Sequence, residues 1–190
     1  MSAPKGRARR DFLKTGAMSG AALVIGFRFS ENAFGQEAQE KKLINPFDAW
    51  VHIEADGRVR LVLAKSEMGQ GVTTSLPMIL AEELAIDWKQ VRVEQALTNP
   101  SVYDHGTGGS ASVRTSWLPL RQAGAAAREM LVLAAANHWQ VNVNTCRAEA
   151  GAVVHGPRVK RLPYAQLVAA ASKLPIPDFS KVTLLNPKEF

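Results

Sequence analysis

Asp56-Gly57 stands between two runs of alternating apolar residues, "AWVHIEA" and "RVRLVLA", and no other feature restricts the fold of this chain as tightly. An Asp-Gly pair supplies the positive φ that a tight hairpin turn demands, and the period-two alternation on each side fixes two antiparallel strands. The second strand runs into "KSEMGQGVTTS" (Lys65–Ser75). Beyond it Leu76, Met78, Ile79, Leu80 and Leu84 share one helical face, which predicts a helix over Thr73–Ala85 with Pro77 in its first turn. "QVRVEQAL" returns to strand-like alternation through Val91 and Val93.

From Thr98 to Ser116 the periodicity disappears into "TNPSVYDHGTGGSASVRTS", and a loop that long inside a compact domain is usually functional or disordered. A strong helix is predicted from about Trp117 to Gln140, its many alanines implying close packing. "AEAGAVVHGPRVKRLP" reads as a hairpin turning at Gly156-Pro157, and "PYAQLVAAASKL" as a shorter helix stopped by Pro175 and Pro177. "KVTLLNPKEF" begins as a strand-like run. The fold class is therefore α+β: a mixed sheet of short strands and hairpins packed with two to three helices. There is no internal repeat.

Residues 1–35 form a unit apart. They hold six basic residues (Lys5, Arg7, Arg9, Arg10, Lys14, Arg28) against Asp11 and Glu31, which accounts for +4 of the formal +6 and leaves +2 for the rest. The remainder has no basic stripe interleaved with aromatics, which speaks against a nucleic-acid partner. A basic start, a short Gly- and Ala-rich apolar run and small residues at Ala33 and Gly35 read as a cleavable leader. Arg9-Arg10 followed by Asp11, Phe12, Leu13 and Lys14 resembles the twin-arginine export signal, so a periplasmic location is expected. Residues 36–48 are a polar linker, and 49–190 the folded domain.

The cysteine count limits the redox chemistry available. One cysteine, Cys146, permits no internal disulfide and no iron–sulfur cluster built by this chain alone, and it is read as a small buried apolar residue. His52, His105, His138 and His155 lack close metal-ligand spacing, so no metal ligand and no catalytic residue is assigned, His105 included.

The candidate site is the Glu-Met-Gly-Gln-Gly turn. Gly69 and Gly71 let backbone come close to a ligand, and the Gln70 amide brings two donors and an acceptor to the same spot. From the residues alone Gln70 stands equally as a cap of the following helix, and Glu67 as a solvent-exposed turn residue. Ser110 and Ser112 in the second glycine-rich loop stand between ligand contacts and ordinary loop residues.

Three segments, "SEMGQGVTTSLPMILAEEL", "HGTGGSASVRTSWLPLRQAGAAAREML" and "RVKRLPYAQLVAAASKLPIP", resemble the molybdopterin-binding large subunit of the xanthine dehydrogenase and aldehyde oxidase family, in the branch typified by isoquinoline 1-oxidoreductase beta subunits. The resemblance runs from Asn45 to Phe190. It implies that the domain is part of a larger molybdenum-cofactor-binding domain, that Gln70 faces the cofactor's dithiolene and pterin with Gly69 and Gly71 permitting close approach, and that Ala111, Ser112 and Val113 lie beside the metal centre, with Ser110 also counted among the cofactor contacts. It also implies hydroxylation of an N-heterocycle or aldehyde with oxygen from water. Electrons would pass to a small [2Fe-2S] subunit and onward to a respiratory carrier such as a cytochrome c. The family's Gly-Glu-rich segment carrying the general base is not found here, so the chain is expected to be an N-terminal fragment, inactive alone. Rival readings are an exported noncatalytic module binding a phosphorylated small molecule, and an inert fragment.

Overall fold

The computed structural model describes residues 23–25, 51–97, 106–156 and 159–189, and every structural statement below concerns these. The export motif at Arg9-Arg10, the linker 36–48 and His105 lie outside them.

The expected hairpin is present. Strand β2 (Val51–Ile53) pairs antiparallel with β3 (Val59–Leu63) in the register Val51↔Leu61 and Ile53↔Val59. Gly57 sits at φ 83, and the turn is closed by Gly57 N donating to Glu54 O and by the Arg58 amide donating to Asp56 Oδ1 at 2.9 Å. Strand β1 (Leu23–Ile25), inside the stretch read as a leader, pairs with β2 on its other side. From β3 the chain crosses through helix α1 (Val72–Leu84) to β4 (Val91–Gln95), which joins β3 in parallel. The sheet order β1-β2-β3-β4 is thus mixed, as the alternation predicts. As the edge strand, β4 leaves Arg92 to Gln95 exposed.

Helix α2 (Ser112–Trp139) begins five residues before the expected Trp117, and Pro119 lies well inside it. Pro119 draws the expectation toward a start just ahead of it, since proline favours the first turn; in the structure its ring is accommodated in the third turn. Pro77 likewise sits in the second turn of α1, not the first. After α2 comes a second sheet, β5 (Cys146–Glu149), β6 (Ala152–His155) and β7 (Lys160–Pro163), all antiparallel neighbours. Only its β6–β7 half is legible as a hairpin. The β5–β6 turn is carried by Ala150 and Gly151, both at positive φ, and alanine is a poor signal for that conformation. Cys146, at the start of β5, is half-buried rather than a core residue. Helix α3 (Tyr164–Ala171) follows directly.

The core gathers Val51, Ile53, Val59, Leu61 and Leu63 from the first sheet, Leu76, Leu80 and Leu84 from α1, Leu120 and Leu131 from α2, and Leu167 from α3. Tyr164, 1% exposed, donates its hydroxyl to Leu84 O at 2.7 Å and pins α3 to the end of α1. Burial pushes that phenol far above its ordinary pKa, so it stays a neutral donor.

Helices α1 and α2 meet at Gly124, where a Cβ would fall 2.7 Å from Glu83 Cβ and 2.9 Å from Leu80 O. Next to this crossing is a fully buried carboxylate. Glu83 accepts from Arg121 Nε at 2.6 Å, Arg128 Nη1 at 3.0 Å and the Leu185 amide at 3.0 Å. Arg121 also donates to Leu185 O, and Arg128 to Glu83 O and Thr183 O. The Thr183 amide donates to Glu129 Oε1 at 2.7 Å. The strand-like expectation for "KVTLLNPKEF" is therefore corrected. Residues 183–185 belong to neither sheet, and side chains of α1 and α2 take up their backbone groups.

Candidate functional site

β3 delivers Leu63, Ala64 and Lys65 into the interior and Ser66 to Gln70 onto the surface, directly before α1. Lys65, 2% exposed, donates to Gly106 O at 2.7 Å, and the Ser66 amide donates to Thr107 Oγ1 at 3.0 Å. These bonds join the chain entering α1 to the chain entering α2. Two glycine-rich turns, Gly69–Gly71 and Gly108–Ala111, thereby share one end of the helix pair.

The first turn is organised by Glu67. Its Oε1 accepts from the Gly69 amide at 2.8 Å and the Gly71 amide at 2.9 Å; its Oε2 accepts from the Thr73 amide at 3.0 Å and hydroxyl at 2.9 Å. A carboxylate receiving several N–H donors at a helix N-terminus is strongly favoured in its charged form. The Thr73 and Gly71 amides, foremost, hold its pKa down to about 2. Glu67 is exposed, as read from the sequence, but it is also the cap of α1. The signal for it was a carboxylate two residues before Gly-x-Gly with threonine following, a spacing that lets one side chain reach back-to-back amides.

Gln70 therefore does not cap the helix. Its Oε1 accepts from the Met68 amide at 2.6 Å and its Nε2 donates to Ser66 O at 2.8 Å, which leaves one N–H and one lone pair of the amide for another partner. Gly69 and Gly71, at φ 97 and 78, hold conformations that favour glycine.

The second turn is built differently. Ser110 adopts φ 53, Ala111 is the residue before α2, and its amide donates to Gly108 O at 3.1 Å. Ala111, the residue before α2, has no side-chain acceptor to offer, α2 has no acidic residue in its first turn, and among the described residues no side chain accepts from its first amides, which the helix dipole makes a favourable place for negative charge. Among the described residues no hydrogen bond joins Gln70 to Ser110, Ala111 or Ser112.

Gly108 is the informative glycine. Its φ lies outside the left-handed region and a Cβ there would meet nothing within 4 Å, so neither backbone conformation nor packing of this chain calls for glycine. A close-lying ligand would. Open space also stands over Gly69, Gly71 and Gly109. Backbone amides, the Ser112 hydroxyl and the spare capacity of Gln70, with side-chain-free approach, fit a polar, anionic, flat-ringed group such as a phosphate-bearing pterin. Among the described residues no three of His, Cys, Asp and Glu gather as a metal site, and no helix is long and apolar enough to cross a membrane.

Comparison with known proteins agrees with this chemistry. Residues 3–185 match the family model of a molybdopterin cofactor-binding domain. The chain is 40% identical over 65% of its length to the isoquinoline 1-oxidoreductase subunit beta of Brevundimonas diminuta. It is 30% identical over 95% of its length to a membrane-bound aldehyde dehydrogenase (pyrroloquinoline-quinone) of Gluconacetobacter polyoxogenes. It spans 17% and 25% of those two relatives, respectively. In fold it resembles the Cu,Mo-CO dehydrogenase, with a TM-score of 0.56 and 19% identity over 86% of this chain and 21% of that one.

Proposed function

Because the chain belongs to the molybdopterin cofactor-binding domain family, we propose that it contributes the two glycine turns that hold the molybdenum cofactor in the large subunit of a molybdenum hydroxylase. In this reading the amides at the start of α2 and the Ser112 hydroxyl take the anionic side of the cofactor, Gly108 gives it room to lie against backbone, and Gln70 supplies its remaining N–H to the pterin edge. The bound cofactor supplies a two-electron oxidant. The residues of this chain bind and orient, and none of them moves a proton in the reaction.

The substrate class we infer is an N-heterocycle or an aldehyde, supported by the two relatives named for isoquinoline and aldehyde oxidation. The substrate C–H bond is exchanged for C–O with the oxygen of one water, and two protons and two electrons are released. We infer that a [2Fe-2S] partner subunit takes the electrons, since the single cysteine of these 190 residues offers no set of cluster ligands here, and that a cytochrome c accepts them beyond it. Arg9 and Arg10 support export of the loaded subunit to the periplasm by the twin-arginine route.

Gly108 carries this proposal, since it has neither a left-handed φ nor, among the described residues, any atom within 4 Å that a Cβ would meet. Gly108→Val in the intact enzyme should leave the denaturant midpoint within about 0.5 kcal/mol, as for other open surface sites, while molybdenum and pterin per folded protein fall severalfold. Unchanged molybdenum and pterin content would refute the site. Finding pyrroloquinoline quinone in place of pterin would refute the cofactor.

A further inference from the structure

We propose that Glu67 is the positioning residue of this site: its carboxylate fixes Gln70 in the place from which Gln70 meets the cofactor. The inference rests on the cofactor-site reading above and goes beyond it by assigning a role to a residue that touches no ligand.

Four donors converge on the Glu67 carboxylate, and two of them, the Gly69 and Gly71 amides, flank Gln70 on either side. A segment with two glycines in five residues samples many backbone conformations when nothing restrains it. Here one carboxylate oxygen holds both flanking amides at once, so the Gln70 backbone is set by Glu67. An inner ring then sets its side chain, through the Met68 amide and Ser66 O. The chain of dependence runs from Glu67 to the Gly69–Gly71 backbone to the Gln70 amide.

Charge adds a second effect. Glu67 fills the N-terminus of α1 with an internal anion, while among the described residues no acidic side chain is bonded at the N-terminus of α2. Of two helix ends in one site, one is already neutralised. The cofactor's anionic side is thereby directed to α2, and the α1 turn is left to make neutral hydrogen bonds through Gln70. An exposed carboxylate that served only as a helix cap would stabilise α1 without regard to what Gln70 does.

A double-mutant cycle in the intact enzyme separates the two roles, with molybdenum and pterin content per folded protein as the readout beside a denaturant midpoint. Glu67→Gln keeps the shape but sets an amide group against amide donors. It should lower cofactor content about tenfold, as Gln70→Ala should, and the double variant should fall no further than Gln70→Ala alone, because residues acting through one another do not add. Hydrogen exchange at the Gly69 and Gly71 amides should quicken in Glu67→Gln. Glu67→Asp, which keeps the charge, should restore part of the content. If Gln70→Ala lowers content while Glu67→Gln does not, or if the two losses multiply, the positioning role is wrong and the cofactor site stands. If Gln70→Ala itself changes nothing, the Gln70 contact fails and the positioning role with it. Should Glu67→Gln not fold, Glu67→Asp, whose shorter side chain cannot reach all four donors, takes its place in the same cycle under the same criteria.

Discussion

Replacing Glu83 by glutamine tests whether the buried charge network holds the helix pair that presents both glycine turns. Glu83 is fully buried, and the side chains of Arg121 and Arg128 are 8% and 10% exposed, so losing one charge leaves two guanidinium groups facing each other with little water. Breaking a buried pair from one side typically costs about 3–5 kcal/mol. The structure argues for the lower part of that range. Arg121 keeps the Leu185 carbonyl, Arg128 keeps the Thr183 and Glu83 carbonyls, and a glutamine oxygen still accepts from one arginine. The Leu185 amide, in contrast, loses its acceptor or meets the glutamine NH2. A loss of about 3 kcal/mol, with a urea slope of roughly 1.5–2 kcal/mol per molar, moves the unfolding midpoint down by about 1.5–2 M. The assay is urea unfolding followed by far-UV circular dichroism, with hydrogen exchange at the Leu185 amide as the local probe. A midpoint shift under about 0.3 M with Leu185 still protected, a change below about 0.6 kcal/mol at that slope, would show that the network does not hold the strap or the helices.

Three further outcomes follow from other parts of the molecule. The Glu67 carboxyl is held at about 2 in the folded state against an ordinary value of 4.5, so its stabilisation is complete above about pH 5 and is lost as pH falls through 4.5 toward 2; amide protection at Gly69, Gly71 and Thr73 should fall over that window, and protection that stays flat down to pH 2 would contradict the hydrogen-bond assignment. Gly124→Ala gains about 1 kcal/mol of helix propensity but drives a methyl into Glu83 and Leu80 at an overpacking cost of about 1–3 kcal/mol, so a net loss of stability is expected, and a raised melting temperature would show that the helices part freely. Changing Arg9 and Arg10 together to lysine should leave the protein in the cytoplasm; undiminished periplasmic delivery, measured by cell fractionation, would end the export reading.

The elements that could be read from the chain are those whose local chemistry agrees with their tertiary setting. Asp56-Gly57 announces its hairpin, and the apolar face of α1 announces a helix that the core confirms. What escaped the reading depends on partners distant in sequence. The Ala150–Gly151 turn is imposed by pairing of β5 with β6, and residues 183–185 look like a strand until Arg121 and Arg128 are seen to take their carbonyls. At the site, Gly69–Gly71 and Ser110–Ser112 stand out in the sequence as glycine-rich interruptions. The role of Glu67 is legible only through its spacing from Gly69, Gly71 and Thr73, because a glutamate in a turn otherwise has the same appearance whether it faces water or collects four donors.

The strap at residues 183–185 also sets a schedule for folding. Glu83 and the Leu185 amide are separated by 102 positions, and the carboxylate cannot be fully satisfied until the last of them is present. A nascent chain that has made α1 and α2 but not residues 183–185 holds a buried carboxylate without its Leu185 donor, and Arg121 and Arg128 without the Leu185 and Thr183 carbonyls. At a synthesis rate of about 5–20 residues per second, the roughly 45 residues between α2 and the strap take several seconds to appear. During that interval the network beside the helix crossing at Gly124 lacks the partners that residues 183–185 supply. Closure of the strap is a long-range, late event with a high loop-closure cost. The buried network behind the helix pair is complete only once Leu185 has been made.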